Sequence, residues 1–343
     1  MKKTFLIVLL NITTVFIACS QTYFRGGIFL HHSTGQYIWG PNPDGLSNTT
    51  IPNEMHQFNI SHSLSGNDSI TLSEEWWAPG DNEWSTQHQF FEGNTTFTDI
   101  NDYLNNNKII IIKSCFPSSE IDSWGQLSDT ANDPTYKSVC NYKWHWRHII
   151  NVMKNHPDNF FVIWTNAPLE ANSTTVQQAT LAKQFCTWAK DTLAVGLDPV
   201  FGAFPHNVYV FDYFNKIAGP DGIEPVIYAT APYDSHPNGA ATDFIAPQFV
   251  DEVFGAALAY EQFYTALQEY KNYDVLIFPN PVNDKLYIDG ITNFNFNIID
   301  ITGRIIKSGK NKSEIRVNDI PKGIYFVRII KDAEEFTKKL VIE

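Results

Sequence analysis

The 343-residue sequence predicts an α/β protein with three layers, α/β/α, around a mainly parallel sheet, followed by a small all-β domain. Two observations predict this division. Between residues 28 and 269, short runs of β-branched and aromatic residues alternate with helical patterns, as expected of βαβ units. From residue 285 the helical patterns stop, and short alternating runs separated by turn residues predict a small β-sandwich.

Apolar runs and helical spacings place the main elements of the α/β part. The run Ile109–Ile112 is continuous, which is typical of a central parallel strand buried on both faces. Helical spacing predicts helices over 142–155, from 173 or 174 to about 193, and mainly over 242–269. Residues 36–100 give no clear pattern. The predicted strands are Ile28–Leu30, Ile109–Ile112, Phe160–Trp164 and Val208–Asp212.

The charge of the chain is unevenly distributed. Residues 21–274 carry 11 Lys and Arg against 28 Asp and Glu, a net charge of −17, whereas residues 275–343 carry 11 against 9. A domain this acidic repels phosphate backbones and anionic lipid head groups. We therefore do not expect nucleic acid as a partner.

The first 20 residues are typical of a cleaved export signal. Lys2 and Lys3 precede a mostly apolar stretch that ends near Ile17, and small residues follow up to Ser20. The stretch is too short and too interrupted to span a bilayer, and no later stretch is long enough. Cleavage after Ser20 is the favoured interpretation. The alternative is a lipoprotein in which Cys19 becomes the lipidated first residue.

Three cysteines remain after cleavage, in an oxidising compartment that permits one disulfide and one free thiol. The pair Cys115–Cys140 is favoured because both residues lie in connecting segments. Cys186 falls within a helical pattern and is predicted to be a small core residue. No spacing indicates zinc, and we expect no metal and no cofactor.

A serine follows the first predicted strand. The apolar run Ile28–Leu30 stops at His31-His32-Ser33-Thr34-Gly35, which indicates a tight turn at the carboxyl edge of the sheet, where open α/β sheets bind ligands. A serine nucleophile needs such an exposed position and nearby backbone N–H donors. The alternative is that Ser33 merely caps the next helix.

A second polar loop, Tyr233–Asn238, lies between the last strand and the last helix of the α/β part. At the same edge of the sheet, His236 could take the Ser33 proton as general base, and Asp234 could orient its imidazole. The alternative is that Asp234 and Asn238 are turn formers and His236 an ordinary loop residue.

These two loops and the alternation between them resemble the SGNH/GDSL hydrolase superfamily over roughly residues 22–270. In that family a Gly-Asp-Ser block follows the first strand, and a late Asp-x-x-His-Pro block holds the aspartate and histidine. Here His31-His32 replaces Gly-Asp, and Asp234 lies two rather than three residues before His236. The family's Gly-x-Asn-Asp block would fall at 113–117, where neither its glycine nor its asparagine is present.

The resemblance implies a flavodoxin-like sheet and ester hydrolysis with Ser33 as nucleophile, His236 as base and Asp234 as the orienting acid. In place of the missing asparagine, Ser114 could stabilise the oxyanion together with the Ser33 backbone N–H. Asn166 is a less direct substitute, and His32 is assigned to the same substrate-binding group. One of the two adjacent histidines is expected to pack under the turn. An inactive surface or glycan-binding protein and an acyltransferase are the alternatives on this scaffold.

Clustered tryptophans suggest the substrate. Trp76 and Trp77 follow two glutamates, and Trp84 is close in sequence, so these indoles could form a sugar-binding platform or simply pack in the core. Together with export and an acidic surface, they favour an acylated carbohydrate, or another small ester, as substrate of the domain spanning 21–272.

The tail, 273–343, contains Phe278-Pro279-Asn280-Pro281, then Asp300–Arg304, then Pro321–Val327. These motifs closely resemble the type A C-terminal sorting domain of the type IX secretion system. The resemblance implies an immunoglobulin-like sandwich, a Bacteroidetes-type cell, binding to the type IX machinery and removal of the tail after export. The protein would then be secreted or held at the outer-membrane surface, where attachment to polysaccharide is a further possibility. An ordinary carbohydrate-binding sandwich is the alternative. The predicted strands cover 285–288, 294–300, 304–307, 313–317, 323–330 and 336–342.

Overall fold

A computed structural model describes residues 24–78, 83–273, 275–331 and 334–343. The predicted signal peptide, 1–20, lies outside these ranges. The chain divides into two compact units, Met1–Glu261 and Gln262–Glu343. The domain boundary predicted at residue 272 lies slightly later in the chain and stays a prediction.

The first unit alternates strands and helices. Its strands are β1 (Gly26–His31), β2 (Thr71–Trp76), β3 (Ile109–Ile112), β4 (Phe160–Trp164), β5 (Leu169–Glu170), β6 (Val208–Phe211), β7 (Ile223–Glu224), β8 (Ala229–Ala231) and β9 (Asp234–Pro237). Its helices are α1 (Ser33–Trp39), α2 (Ile51–Ser61), α3 (Trp84–Phe91), α4 (Ile100–Asn106), α5 (Asp129–Asn132), α6 (Val139–Lys154), α7 (Val176–Trp188) and α8 (Tyr213–Ile217), and α9 (Gly239–Tyr273) starts in this unit.

Five strands form one parallel sheet in the order β2-β1-β3-β4-β6. This is the 2-1-3-4-5 order of one common doubly wound α/β fold. The predicted parallel sheet is confirmed, and the structure adds β2, which the sequence analysis missed. Because β2 is an edge strand whose residues are mostly exposed, it lacks the apolar pattern that identifies its neighbours.

Helices cover both faces of the sheet. On one face, alternate residues of β1, β3, β4 and β6 pack with α3, α6 and α7 in one buried cluster that includes Trp84, Trp146 and Phe185. On the other face, the ring of Phe249 in α9 packs 5.7 Å from Phe29 and 4.8 Å from Trp164, measured between ring centroids. This three-layer packing explains why β3 and β4 read as continuous apolar runs.

The second unit contains two antiparallel sheets. One has the order β10-β11-β14 and the other β13-β12-β15-β16. Side chains from both sheets, including Leu286, Ile298, Val327 and Leu340, form one buried cluster. The predicted all-β tail is therefore confirmed as antiparallel sheets. The strands are β10 (Leu276–Phe278), β11 (Lys285–Asp289), β12 (Asn295–Asp300), β13 (Ile305–Lys310), β14 (Glu314–Arg316), β15 (Gly323–Lys331) and β16 (Glu334–Ile342).

The cysteines correct one prediction. Cys115, Cys140 and Cys186 are all free thiols, so the favoured Cys115–Cys140 disulfide is wrong for this structure. Cys140 lies in the first turn of α6 rather than in a connecting segment, and the Cys115 sulfur contacts the hydroxyls of Ser33 and Thr34. Cys186 is fully buried in the core, as predicted. Within the described ranges, no helix is both long and apolar enough to cross a membrane.

Candidate active site

Ser33 is the first residue of α1, directly after β1. The residue before it, His32, has extended backbone and provides no side-chain cap, so the first turn of the helix keeps backbone N–H groups that no capping side chain uses. Gly35 allows α1 to lie against β1, because a Cβ there would be 2.4 Å from the Cβ of His31. The end of β1, the extended backbone at His32 and the close packing at Gly35 together fix the position of the Ser33 hydroxyl.

Three side chains from the two predicted loops meet at this point. The Ser33 Oγ lies 2.7 Å from the His236 Nε2, although 203 positions separate the two residues. The His236 Nδ1 lies 2.5 Å from the Asp234 Oδ1. With Asp234 ionised, Nδ1 donates to the carboxylate, which leaves Nε2 as acceptor for the Ser33 hydroxyl. This is the hydrogen-bond order of a serine–histidine–aspartate triad.

The shortened spacing between Asp234 and His236 is accommodated by a local turn. One carboxylate oxygen of Asp234 accepts both the backbone N–H and the Nδ1–H of His236. The preceding residue, Tyr233, adopts the left-handed region with φ of 65°, which is uncommon for a residue other than glycine. The loop is thus bent so that an aspartate two residues away still reaches the imidazole.

Aromatic rings restrict the imidazole on two sides. Tyr37 of α1 stacks on His236 with ring centroids 4.6 Å apart and an interplanar angle of 23°. Phe116 meets the same ring edge-on at 4.9 Å. The Cys115 sulfur completes the contacts around the nucleophile, 3.5 Å from the Ser33 Oγ. Residues 115 and 116 follow β3, so this segment lines the site, but through different side chains from the one predicted.

Two buried glutamates, Glu170 and Glu224, lie next to the segment that carries His236, and neither was predicted from the sequence; Glu170 contacts this histidine loop, residues 233–238. The Glu170 carboxylate accepts the Tyr233 N–H at 3.0 Å, and the Glu170 backbone N–H donates to the Ser235 hydroxyl. Burial raises the pKa of Glu170, but hydrogen bonds from Ser173 and Asn172 outweigh burial and hold that pKa below its usual value. Glu170 is therefore ionised, as its acceptor role requires.

Glu224 pairs with Glu170 in the short parallel ladder between β5 and β7. Burial, followed by the charges of Asp234 and Glu170, raises the pKa of Glu224 to about 9. Its Oε2 has no hydrogen-bond partner among the described residues. The two carboxyls thus differ in state, one ionised and one protonated at neutral pH. No motif could have indicated them, because two-residue strands have no periodicity.

The other predicted site residues have different surroundings. His32 Nε2 lies 2.6 Å from the Ala78 carbonyl oxygen, and its ring stacks on Trp76. Asn166 is fully buried, with its amide donating to the Ser118 carbonyl and its oxygen accepting from Trp84. These contacts give neither His32 nor Asn166 a link to Ser33. They hold the turns in place instead.

Ser114 and Lys113 lie in the interior, directly after β3. The Ser114 hydroxyl is buried and has no hydrogen-bond partner in the part of the chain that the structure describes. The Lys113 ammonium donates to the Ser114 carbonyl at 2.6 Å, and burial lowers the pKa of Lys113 to about 8. Ser114 thus retains an unused donor one residue before Cys115.

The clustered tryptophans separate into two groups. Trp77 and Trp84 are buried, so these two belong to the core rather than to a sugar-binding platform. Trp76 is 55 % exposed and covers His32, next to the nucleophile.

His31 is buried under the turn, where Glu74 and the His32 carbonyl contact its two ring nitrogens. Of the residues described, no set of three or more His, Cys, Asp or Glu is arranged to hold a metal ion.

Comparisons with solved structures give only distant similarities. A gut microbial diltiazem-metabolizing enzyme matches with a TM-score of 0.39 and 10% identity over 92% of this chain and 70% of its own. An endo-beta-1,4-mannanase from Cellulomonas fimi matches with a TM-score of 0.22 and 12% identity, over 92% and 63% of the two chains. An endo-beta-1,4-mannanase from Thermotoga petrophila matches with a TM-score of 0.20 and 10% identity, over 85% of this chain and 60% of its own. At these TM-scores no argument about fold or activity follows.

No curated protein sequence matches the chain. A family model does match the tail. The family model described as the secretion system C-terminal sorting domain matches residues 276–343. This match covers the antiparallel sheets of the second unit and agrees with the motifs predicted for them. It indicates export, with secretion or attachment at the cell surface, and interaction with the type IX machinery of a Bacteroidetes-type cell. Residues 276–343 are therefore a type IX secretion C-terminal sorting domain.

Proposed function

We propose that the first unit is a divergent SGNH/GDSL-type serine hydrolase that cleaves a small ester, with an acylated carbohydrate as the favoured substrate. The observation that carries this proposal is the continuous hydrogen-bond chain from Ser33 through His236 to Asp234, at 2.7 and 2.5 Å. The five-stranded parallel sheet in the order β2-β1-β3-β4-β6, with the serine directly after β1, supports it.

In the first step the Ser33 Oγ attacks the ester carbonyl carbon, and its proton passes to the His236 Nε2. Asp234 stabilises the charged imidazole that results. The negative charge on the carbonyl oxygen would be met by the Ser33 backbone N–H at the start of α1, where no side chain caps the helix. His236 then returns the proton to the leaving alcohol as the ester C–O bond breaks.

The second step repeats this chemistry with water. His236 takes a proton from a water molecule, the hydroxide attacks the acyl carbon, and the Ser33 oxygen leaves with the proton from Nε2. Acid and free enzyme are the products. Attack by a sugar hydroxyl in place of water would give acyl transfer from the same residues, so the triad alone fits both reactions.

Two measurements test the proposal. With short-chain p-nitrophenyl esters, Ser33→Ala should lower kcat/KM by at least about 10³-fold, because the nucleophile is lost. A fluorophosphonate probe should add one adduct to the wild type at Ser33 and none to the variant. Ser61→Ala, which removes a hydroxyl at the end of α2, is the matched control and should behave as wild type.

A non-catalytic surface protein on the same scaffold makes the opposite prediction. Wild type and Ser33→Ala would then show the same background hydrolysis, and the fluorophosphonate would label neither. Either result, with unchanged circular dichroism and Tm, would exclude the hydrolase.

A further inference from the structure

A groove on the first unit lies among residues to which the proposed mechanism gives no role. It has a volume of about 660 Å³, within the range of about 300–1,000 Å³ usual for ligand sites. We call it the tryptophan groove. It is lined by Trp124, Lys143, Thr180, Lys183, Gln184, Thr187, Trp188, Thr192, Pro220 and Asp221.

Two indoles and an ammonium form its central feature. The Lys143 Nζ lies 4.9 Å from the ring centroid of Trp124 and 4.9 Å from that of Trp188. Trp188 is mostly buried and anchored by its indole N–H on Asp198, whereas Trp124 is 50% exposed. The groove therefore presents a fixed positive charge beside an open aromatic surface.

The tryptophan groove is positively charged, whereas the domain as a whole is strongly negative. The neighbouring cation, Arg147, is neutralised by a bidentate pair with Asp198. Lys143 makes no hydrogen bond or ion pair with any residue the structure describes. Burial lowers the pKa of Lys143, so this ammonium has lost part of its hydration. With Lys183 beside it and Asp221 as the single acid in the lining, the groove is positive on a domain of charge −17.

Apart from Pro220, the remaining lining is polar and uncharged. Threonine hydroxyls and one glutamine amide are present, and no aliphatic side chain larger than proline contributes. The side chains of Gln184, Thr187 and Thr192 have no hydrogen-bond partner among the described residues, so they remain available. These free polar groups match the hydroxyl groups of a sugar.

We propose that the tryptophan groove binds an acidic oligosaccharide of uronic-acid type. A pyranose face packs on the exposed indole of Trp124, and the uronate carboxylate pairs with Lys143. Lys183 and the free hydroxyls and amide bind the adjoining sugar unit. The site is separate from Ser33 and His236, and it would hold an exported protein on a charged polysaccharide whether or not the triad is active.

Isothermal titration calorimetry of the full chain with an oligogalacturonate, beside a neutral cello-oligosaccharide of equal length, tests this proposal. The acidic oligomer should bind, and its affinity should fall as NaCl is raised. Lys143→Gln and Trp124→Ala should each weaken binding by about tenfold, equivalent to about 1.4 kcal/mol. Lys154→Gln, which removes the same charge from the last turn of the same helix, should leave the affinity unchanged.

Ser33→Ala separates this proposal from the catalytic one, because it should lose hydrolysis and keep full binding. Absence of binding to the acidic oligomer would overturn the groove proposal. So would equal affinity for the neutral oligomer, or an equal effect of Lys143→Gln and Lys154→Gln in variants whose Tm matches the wild type.

Discussion

The two loops that form the candidate triad are held in place by different forces. The serine turn, residues 31–35, is held by close packing of buried side chains. His31 and Thr34 have almost no exposed surface, and Gly35 packs so closely on the His31 side chain that no Cβ would fit there. The histidine loop is partly exposed, with side-chain exposures of 21% for His236 and 37% for Asp234, and polar contacts to Glu170 hold it. A change of volume should therefore damage the first loop, and a change of charge or pH the second.

The largest effect is expected at the orienting acid. Asp234→Asn keeps the shape of the loop but offers an amide to the imidazole, which favours the wrong tautomer for accepting the Ser33 proton. We expect kcat for p-nitrophenyl acetate to fall by about 10³- to 10⁴-fold. Asp251→Asn, which changes an exposed carboxylate on α9, is the control. A loss below tenfold would show that another group orients the imidazole.

The second effect tests whether close packing at Gly35 holds the serine turn in place. Gly35→Ala places a methyl group 2.4 Å from the His31 Cβ, so α1 or the histidine must move. Overpacking of this kind costs about 1–3 kcal/mol in the free energy of unfolding. Because α1 carries Ser33, a shift of about 1 Å should also lower kcat/KM by about 10²-fold. Urea unfolding and ester kinetics measure the two effects.

Gly255→Ala, at a helix position where a Cβ meets nothing within 4 Å, is the matched control for Gly35→Ala. It should leave the rate unchanged. Wild-type rate and stability in Gly35→Ala would show that the serine turn is not fixed by this contact.

The third effect concerns the polar side of the comparison, and it changes stability with pH rather than the reaction rate. Glu224 has a folded pKa of about 9 against 4.5 in the unfolded chain, so between these values the folded state holds a proton that the unfolded chain has released. Stability should fall as pH rises through this window, by up to about 1.4 kcal/mol per pH unit. Glu224→Gln mimics the protonated carboxyl and should flatten that decline.

Urea unfolding of wild type and Glu224→Gln at pH 6, 7 and 8 would measure the difference in slope. Glu54→Gln, at a half-buried position in the first turn of α2, controls for the loss of one charge. Parallel stability curves for wild type and Glu224→Gln would contradict the buried, protonated state of Glu224.

Sequence patterns located the parts of the molecule that repeat or alternate. The strands around Ile28, Ile110, Val162 and Tyr209 were predictable because burial on both faces leaves continuous apolar runs. The tail strands β11 to β16 were predictable from their turns, whereas β10 was not predicted. Edge strand β2 was not, since its outward positions carry Ser and Glu residues and only one side of it pairs.

The candidate site divides in the same way. Ser33 and His236 could be found because each follows a recognisable element at the same sheet edge. Glu170, Glu224 and Cys115 could not, because each acts through a contact made by distant segments. Conversely, Asn166 looked available in the sequence but uses its amide within the fold. Sequence spacing predicts the position of a side chain along an element, whereas the contacts of that side chain depend on tertiary packing.

The distance along the chain between Ser33 and His236 has a consequence for folding. Ser33 belongs to the first strand–helix unit. His236 lies in β9, which pairs antiparallel with β8 just before α9, and the other four strands of the parallel sheet lie between the two residues in the chain. No partly assembled intermediate that lacks the late hairpin can join them. Recovery of ester cleavage after dilution from urea would therefore report when the segment that carries His236 has docked beside Ser33.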